Sequence, residues 1–317
     1  MLQRTASALS WWASSDRASG EPAPLPHTLE TIAETAVEGG YSAGIGLGFC
    51  LPIKSPAVAS FGHANLETHT RIDNGSLFRI GACTHQIIAA AILLLVERNK
   101  LHLTDKVGHA LRGDDGSDTE SVHDLLLGDA AAYVTLGQLI EHVASESLAG
   151  FVTDNLLIPA GMTASRFTDA TRITPHRASG YRLSGDRAHD FSNAGAGQDA
   201  AADELHANAG DLLLWNRALH NGRLLTRGTV DMMTATGVES PPCPALAPFT
   251  ERHKRGLGIE VGRIFGRRAF WRRGQAPGFD TWLFHFPDDR ADLALLANTE
   301  QGAATILEPI LRAILRV

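Results

Sequence analysis

Features that mark several common protein classes are scarce in this sequence. Its 317 residues include three cysteines, an odd number without metal-type spacing, which indicates free thiols in a reducing compartment rather than a disulfide framework. The 14 histidines are scattered and form no H-x-x-x-H or H-E-x-x-H pattern. We therefore expect neither a metal site nor a cofactor.

Excess basic charge and membrane-length apolar segments are lacking as well. The chain carries a net charge of -7 and has a pI near 6.0, which leaves no electrostatic footprint for nucleic acid. The apolar run Ile87–Val96 is shorter than the roughly 18–20 residues that cross a bilayer. The first 26 residues lack an apolar core of signal-peptide length. We expect a cytoplasmic protein that binds neither nucleic acid nor membrane, and homo-oligomer formation is left open.

The residues that are present predict a folded protein built around one buried helix. A hydrophobic fraction of 44% with 20% charged residues suffices for one large domain or two lobes with a substantial core. The run Ile87–Val96 is apolar on every face, so its helix should pass through the interior. The N-terminus of a buried helix commonly lies at a cleft or domain seam. Here that N-terminus is Gly81–His85.

Other segments predict a mixed helix and strand architecture around this helix. Apolar periodicity and turn residues distinguish the helices from the strands. Helices are predicted at His27–Glu38, Thr135–Ala144, Ser147–Asn155 and Ala303–Leu315. Strands are predicted at Gly44–Cys50, Val58–Gly62, Gly256–Phe265, Arg268–Arg273, Asp280–Phe286 and Asp292–Ala297.

The segment before the buried helix resembles the nucleophile motif of the serine β-lactamase and penicillin-binding-protein-like family, especially its class C and esterase branch. Those proteins typically read F-R-I-G-S-x-T-K-Q, in which Ser and Lys form the S-x-x-K pair. The matching residues are Phe78, Arg79, Ile80, Gly81, Thr84 and Gln86. Two later stretches, LIPAGMTASRF and the turn in WRRGQAPGF, also resemble landmarks of this family.

The resemblance implies an α+β fold of the β-lactamase/transpeptidase type. An antiparallel sheet flanked by the N- and C-terminal helices should carry a mostly helical lobe. We expect residues 1–26 to form an N-terminal arm and residues 27–317 a single domain. Its α/β lobe would comprise residues 27–66 and 250–317, and its helical lobe residues 67–249.

The residues that perform acyl transfer in the family are replaced here. Ala82 stands in place of the serine, and His85 stands in place of the lysine. The family's Y-x-N motif aligns with Gly128, Asp129 and Ala130, after an apparent deletion that should open the cleft. A segment such as Gly195–Asp203 or a partner chain could cover it instead. The nearby Tyr133 is expected to pack within a helix.

The third family motif, K-T-G or H-x-G on a strand that lines the cleft, is replaced by Arg272, Arg273 and Gly274. Side chains alternate along a strand, so only one arginine should face the cleft, and the register favours Arg272. Cys83 should rotate away from the cleft and pack inside.

These replacements make acylation by this chain a weak hypothesis, because losing the nucleophile costs several orders of magnitude in rate. His85, neutral at a helix N-terminus, is interpreted as a general base for elimination, isomerisation or cyclisation of a small carbonyl compound. One alternative is a pseudoenzyme that binds a ligand or partner, and another is a residual hydrolase using water activated by His85. The candidate substrate-binding residues are Ala82, Asp129, Arg272, Arg273 and Gly274.

Overall fold

The structure of the protein is a computed structural model. It describes residues 26–51, 56–112, 120–168, 173–184, 187–192, 205–235 and 237–317. Residues 1–25 of the predicted N-terminal arm and the whole segment Gly195–Asp203 lie outside the described residues.

A nine-stranded sheet forms the centre of the described structure, in the order β3-β2-β1-β14-β13-β12-β11-β10-β9. Every neighbouring pair is antiparallel. Its strands are β1 (Gly44–Cys50), β2 (Ala57–Asn65), β3 (Thr70–Arg71), β9 (Val238–Glu239), β10 (Lys254–Arg255), β11 (Glu260–Ile264), β12 (Arg267–Ala276), β13 (Phe279–Phe286) and β14 (Ala291–Ala297). Two smaller sheets contain β4 (Phe78–Arg79), β5 (Arg166–Phe167), β6 (Tyr181–Ser184), β7 (Arg187–Asp190) and β8 (Leu205–Ala207).

Helices cover the central sheet on both faces. They are α1 (His27–Glu38), α2 (Cys83–Glu97), α3 (Val107–Arg112), α4 (Val122–Leu126), α5 (Ala130–Ala144), α6 (Leu148–Val152), α7 (Ile158–Ala160), α8 (Ala209–His220), α9 (Arg227–Ala235) and α10 (Leu307–Leu315). A π-helical turn, Thr153–Leu157, links α6 to α7, and a 3₁₀ turn, Ala304–Ile306, precedes α10.

The hydrophobic pattern of each helix explains which layer it occupies. On α10 the buried residues Leu307, Ile310, Leu311, Ile314 and Leu315 form one stripe, which packs with α1 against one face of the sheet. Burying each of these side chains contributes about 1.5–3 kcal/mol. In contrast, every residue of α2 from Cys83 to Leu95 is buried, so this helix lies in the core between the sheet and the helices α5 and α6.

The predicted fold class is confirmed, and α1 and β1 have the predicted bounds. The hairpin predicted from Gly256–Phe265 and Arg268–Arg273 is present as β11 and β12, but its first strand begins only at Glu260, while β10 ends at Arg255. Between these two residues Gly258 adopts φ +76°, and a Cβ there would collide with Ala89 of α2. The chain therefore bends at a glycine where the sheet approaches the buried helix. In the described residues, no helix has both the length and the apolar character to cross a membrane.

Candidate active site

The N-terminus of α2 lies directly against β12 because two glycines permit the approach. Gly81 adopts φ +50°, and a Cβ at this position would collide with the backbone of Gln275. A Cβ on Gly274 would collide with the carbonyl oxygen of Ile80. Ala82 is the N-cap residue of α2 and supplies no side-chain cap to the helix. At the contact between helix and sheet, the position of the family's serine is thus occupied by the methyl group of Ala82.

His85 lies one turn into α2 and is only 2% exposed. Its Nδ1 atom is 2.7 Å from Nη2 of Arg272. Because a guanidinium can only donate, Nδ1 accepts this hydrogen bond and carries no proton. The imidazole is therefore neutral, with its proton on Nε2. One face of the His85 ring stacks on the ring of Tyr133, with 4.2 Å between the centroids and an interplanar angle of 4°.

Arg272 joins the start of α2 to the neighbouring strand. Its Nε donates to the carbonyl oxygen of Ala82 at 3.0 Å. Its Nη1 lies 3.8 Å from Oε1 of Glu260, and the two side chains are 11% and 12% exposed. The guanidinium thus contacts the helix that would carry the nucleophile, the His85 ring and a buried carboxylate at once.

A second arginine contacts the same carboxylate from β10. Nε of Arg255 lies 3.4 Å from Oε1 of Glu260. Its Nη1 donates to the carbonyl oxygens of Leu127 at 3.4 Å and Gly128 at 3.3 Å, where the Y-x-N motif aligns. Glu260 therefore lies between two arginines. Arg272 contacts Ala82, in the first family motif, and Arg255 contacts Gly128, where the second motif aligns. We call Arg272, Glu260 and Arg255, with His85 and Tyr133, the arginine cluster.

Tyr133 belongs to α5 and packs inside the protein, as the sequence predicted. Its hydroxyl donates to the carbonyl oxygen of Leu126 at 2.7 Å. Burial raises the pKa of Tyr133 to about 12, although the nearby Arg272 charge acts in the opposite direction. This phenol therefore stays protonated near neutral pH and does not replace the tyrosine of the family as a base.

Two of the predicted substrate-binding residues lie outside the arginine cluster. Asp129 is exposed and caps α5, accepting from the backbone NH groups of Ala131 at 3.1 Å and Ala132 at 3.3 Å. Arg273 points to the opposite face of β12 from Arg272, where its Nε donates to Oδ1 of the fully buried Asp280 at 3.0 Å. The carboxylate of Asp129 is therefore occupied in capping α5.

Cys83 is buried, as predicted, and only 2% exposed. Its Sγ faces the backbone carbonyl oxygen of Arg272 at 3.5 Å. The thiol thus packs between α2 and β12. Within the described residues, no group of three or more His, Cys, Asp or Glu side chains could hold a metal ion.

Sequence reasoning missed Arg255 and Glu260. Glu260 could have drawn attention as a carboxylate within a predicted apolar strand, which needs a partner when buried. Arg255 gave no such signal, because it lies in the charged stretch ERHKR, and charged residues are mostly exposed.

The chemistry available at this cluster is narrow. The position of the nucleophile offers a methyl group, and Tyr133 holds its proton. Nδ1 of His85 can accept a proton only after Arg272 withdraws, because two cationic groups would otherwise meet at 2.7 Å. The geometry favours a stable network of hydrogen bonds over proton transfer.

Comparison with protein families gives one match that covers most of the chain. The family model described as Beta-lactamase matches residues 36–127 and 129–315. A Bacillus subtilis (strain 168) protein named as a penicillin-binding protein, PbpX, is 23% identical over 280 residues, covering 77% of this chain and 67% of the relative. A second penicillin-binding protein of that organism is 22% identical over 309 residues, covering 76% and 65%. The chain spans about two thirds of the length of these curated relatives.

Solved structures share the fold at low sequence identity. The D-amino acid amidase from Ochrobactrum anthropi SV3, complexed with D-phenylalanine, superposes with a TM-score of 0.80 at 18% identity. The alignment covers 92% of this chain and 97% of the amidase. The octameric penicillin-binding protein homologue from Pyrococcus abyssi gives a TM-score of 0.78 at 20% identity, covering 92% and 77%.

Proposed function

We propose that this chain, which belongs to the β-lactamase family, forms no acyl-enzyme and acts by binding a ligand or a partner. The observation that carries the proposal is the hydrogen bond from Arg272 to Nδ1 of His85, beside the methyl group of Ala82. In the family a serine and a lysine occupy these two positions. Here the first has no nucleophile, and the second has an imidazole whose basic atom is engaged by a cation.

The rest of the arginine cluster supports this proposal. Arg272 and Arg255 contact backbone carbonyls at the first and second motif positions, and Glu260 lies between them. His85 and Tyr133 are 2% and 1% exposed, so the rings fill the space beside Ala82. A cluster of this kind stabilises the contact between sheet and helical lobe, whereas an acyl-transfer site must admit a carbonyl group to its nucleophile.

The direct test is covalent labelling by substrates of the family. The protein is incubated with a fluorescent penicillin, nitrocefin and a p-nitrophenyl ester, and is examined by intact-mass spectrometry and by hydrolysis rate. We expect no adduct and no turnover above that of His85→Ala, with an acylating family member assayed alongside as a positive control. A stoichiometric acyl adduct on the unaltered protein would overturn the proposal.

A serine restored at position 82 sharpens the test. The Ala82→Ser variant should still form no adduct at neutral pH, because Arg272 occupies Nδ1 of His85, which stands at the position of the family's lysine. The matched control, Ala149→Ser on α6, reports on labelling of an added serine elsewhere. Rapid labelling of Ala82→Ser alone would show that His85 can act as a base.

Non-covalent acid and base chemistry by His85 stays a prediction and requires Arg272 to release Nδ1. An Arg272→Met variant distinguishes an enzyme that uses His85 from a protein that only binds a ligand or partner. An enzyme that uses His85 would change its pH profile in this variant, whereas a binding protein would change only its stability.

A further inference from the structure

Helix α1 carries a line of negative charge away from the sheet. Its apolar side packs on the sheet, and Glu30, Glu34 and Glu38 follow one another at every fourth position. Like charges at this spacing repel each other on a helix. The helix contains no Lys or Arg, and the ion pair of these glutamates within the described residues is that of Glu30 with His27 at 3.8 Å. We call the three glutamates the acidic stripe.

The hairpin of β11 and β12 concentrates positive charge at one end of the central sheet. Arg263 and Arg268 lie directly opposite each other in the strand register, next to Arg267, and all three are exposed. Like charges opposite each other on two strands are destabilising. The two-residue turn between the strands, Phe265 and Gly266, has φ 48° and 75°. Positive φ at both residues is typical of the tight type I′ turn, which fixes the position of the arginines.

The turn between β13 and β14 shows how this end of the sheet binds carboxylates. Asp288 pairs with Arg268 at 2.9 Å, and Asp289 pairs with Arg267 at 3.1 Å. Arg290 follows them in the same turn and is exposed. The hairpin arginines are thus within reach of acidic side chains that come from another element.

The C-terminal end of α10 adds two more arginines. Arg312 pairs with Glu308 at 3.0 Å and lies 4.4 Å from the centroid of the Phe265 ring. Arg316 comes one turn later and is exposed. We call the six arginines the basic end: Arg263, Arg267, Arg268, Arg290, Arg312 and Arg316.

The basic end keeps an excess of positive charge when the carboxylates around it are counted. Three carboxylates are paired with its arginines, and Glu251 adjoins β11 through the bridge between Thr250 and Ile264. Six arginines therefore face four carboxylates, in a chain whose net charge is -7. The arginines without an ion pair among the described residues are Arg263, Arg290 and Arg316.

The acidic stripe and the basic end belong to the same side of the molecule. Helices α1 and α10 pack side by side against one face of the sheet. Arg312 of α10 contacts the β11–β12 hairpin through Phe265. A partner of one charge sign would match half of this surface and repel the other half. A second copy of the chain, rotated by a two-fold axis, matches both halves, because such an interface uses one surface twice.

We propose that this surface is an interface between two copies of the chain. The acidic stripe of one copy faces the basic end of the other, and the reverse contact forms at the same time. The dimer is weak and sensitive to salt, because its charges are exposed. The proposal does not depend on the loss of acylation, since none of these residues belongs to the arginine cluster.

Sedimentation velocity at several protein concentrations tests whether the dimer exists. Raising NaCl from about 0.1 M to about 1 M shortens the screening length from about 10 Å to about 3 Å. We therefore expect a concentration-dependent dimer at the lower salt and a monomer at the higher. A monomer at every concentration in low salt, or species larger than a dimer, would overturn the proposal.

Charge reversal assigns the contact to the two patches. Glu34→Arg and Arg263→Glu should each weaken the dimer at least about tenfold, because a two-fold interface contains each change twice. An equimolar mixture of the two variants should associate again, since each reversed charge then meets its opposite on the other variant. The matched control is Asp231→Arg, an exposed carboxylate on α9, which packs on the other face of the sheet and should leave the dimer intact.

Two results of this series contradict the proposed contact. One is a loss of dimer in Asp231→Arg as large as that in Glu34→Arg, which would reflect net charge alone. The other is a mixture of Glu34→Arg and Arg263→Glu that stays monomeric while circular dichroism shows both variants to be folded.

Discussion

Two histidine stacks pack against the central sheet, and they differ in the sign of the group at Nδ1. In the first, His85 stacks on Tyr133 at 4.2 Å, and Nδ1 accepts from Arg272 at 2.7 Å. In the second, His220 at the end of α8 stacks on His285 of β13 at 3.9 Å and 6°. There Nδ1 of His285 lies 2.8 Å from Oδ1 of Asp292. A cation faces one imidazole, and a carboxylate faces the other.

The sign of that partner decides what each imidazole can do. A cation at Nδ1 holds His85 in the neutral form, so its stack should be insensitive to mild acid. At the second stack the carboxylate of Asp292 accepts a hydrogen bond from Nδ1 of His285. His220 is then the sensitive member, because burial and the neighbouring His285 lower its pKa well below the usual value. The same residue type therefore gives an acid-resistant cluster in one place and an acid-labile one in another.

Removing the cation should have the largest effect on the first stack. For Arg272→Met we expect the free energy of unfolding to fall by about 3 kcal/mol, since each hydrogen bond of a charged group is worth about 1.5–3 kcal/mol. Denaturant titration measures the loss. The matched control is Arg268→Met on the same strand, whose 2.9 Å pair with Asp288 is exposed, and it should cost at most about 1 kcal/mol. Equal losses would contradict a buried structural role for Arg272.

Removing the carboxylate should weaken the second stack somewhat less. Asp292 is 5% exposed and accepts from His285 and, at 3.3 Å, from Asn216 of α8. We expect Asp292→Asn to lower the free energy of unfolding by about 2 kcal/mol, because the amide loses the charge-assisted part of both bonds. Urea denaturation tests this value against Asp288→Asn, an exposed carboxylate. If the two variants are indistinguishable, Asp292 does not anchor the stack.

A smaller difference between the two stacks is expected in how stability depends on pH. The folded-state pKa of His220 is below its ordinary value of 6.5, so the unfolded chain binds more protons and stability falls as pH falls. The slope below about pH 6.5 should reach about 1.4 kcal/mol per pH unit from this group. His220→Phe keeps the aromatic stack and should flatten the profile between about pH 5 and 6.5. His27→Phe, at a site 93% exposed, should leave it unchanged, and an unaltered slope in His220→Phe would refute the assignment.

The smallest expected effect concerns the ring that covers His85. Tyr133→Phe removes the 2.7 Å hydrogen bond to Leu126 but keeps the stack, so we expect a loss of about 1 kcal/mol. Tyr41→Phe, at a residue 59% exposed, should cost almost nothing. Thermal unfolding followed by calorimetry compares the two. A loss in Tyr133→Phe as large as that in Arg272→Met would mean that the phenol has a further partner.

Much of the fold could be predicted from local pattern and family resemblance. The bounds of α1 and β1 are as predicted, and the buried character of α2 is confirmed. Errors arose where tertiary contacts override local pattern. The prediction started α5 at Thr135, but the helix begins at Ala130, because Asp129 caps it. The strand predicted over Gly256–Phe265 begins only at Glu260, after the bend at Gly258 where the chain meets α2.

The candidate site could be predicted only in part. The alternation of side chains along β12 correctly placed Arg272 toward α2 and Arg273 away from it. The convergence of Arg255 and Glu260 on the same point could not be predicted, since it depends on the register of β10, β11 and β12.

By itself, the sequence determined that α2 is buried and that no hydroxyl group stands at position 82. Both follow from residue type alone, through apolar periodicity and the chemistry of a methyl side chain. Only the tertiary structure decided the state of His85, because Arg272 lies 187 residues farther along the chain. A protonation state depends on the charge nearest to the titrating atom, and that neighbour is brought into place by strand register and by close packing at glycines.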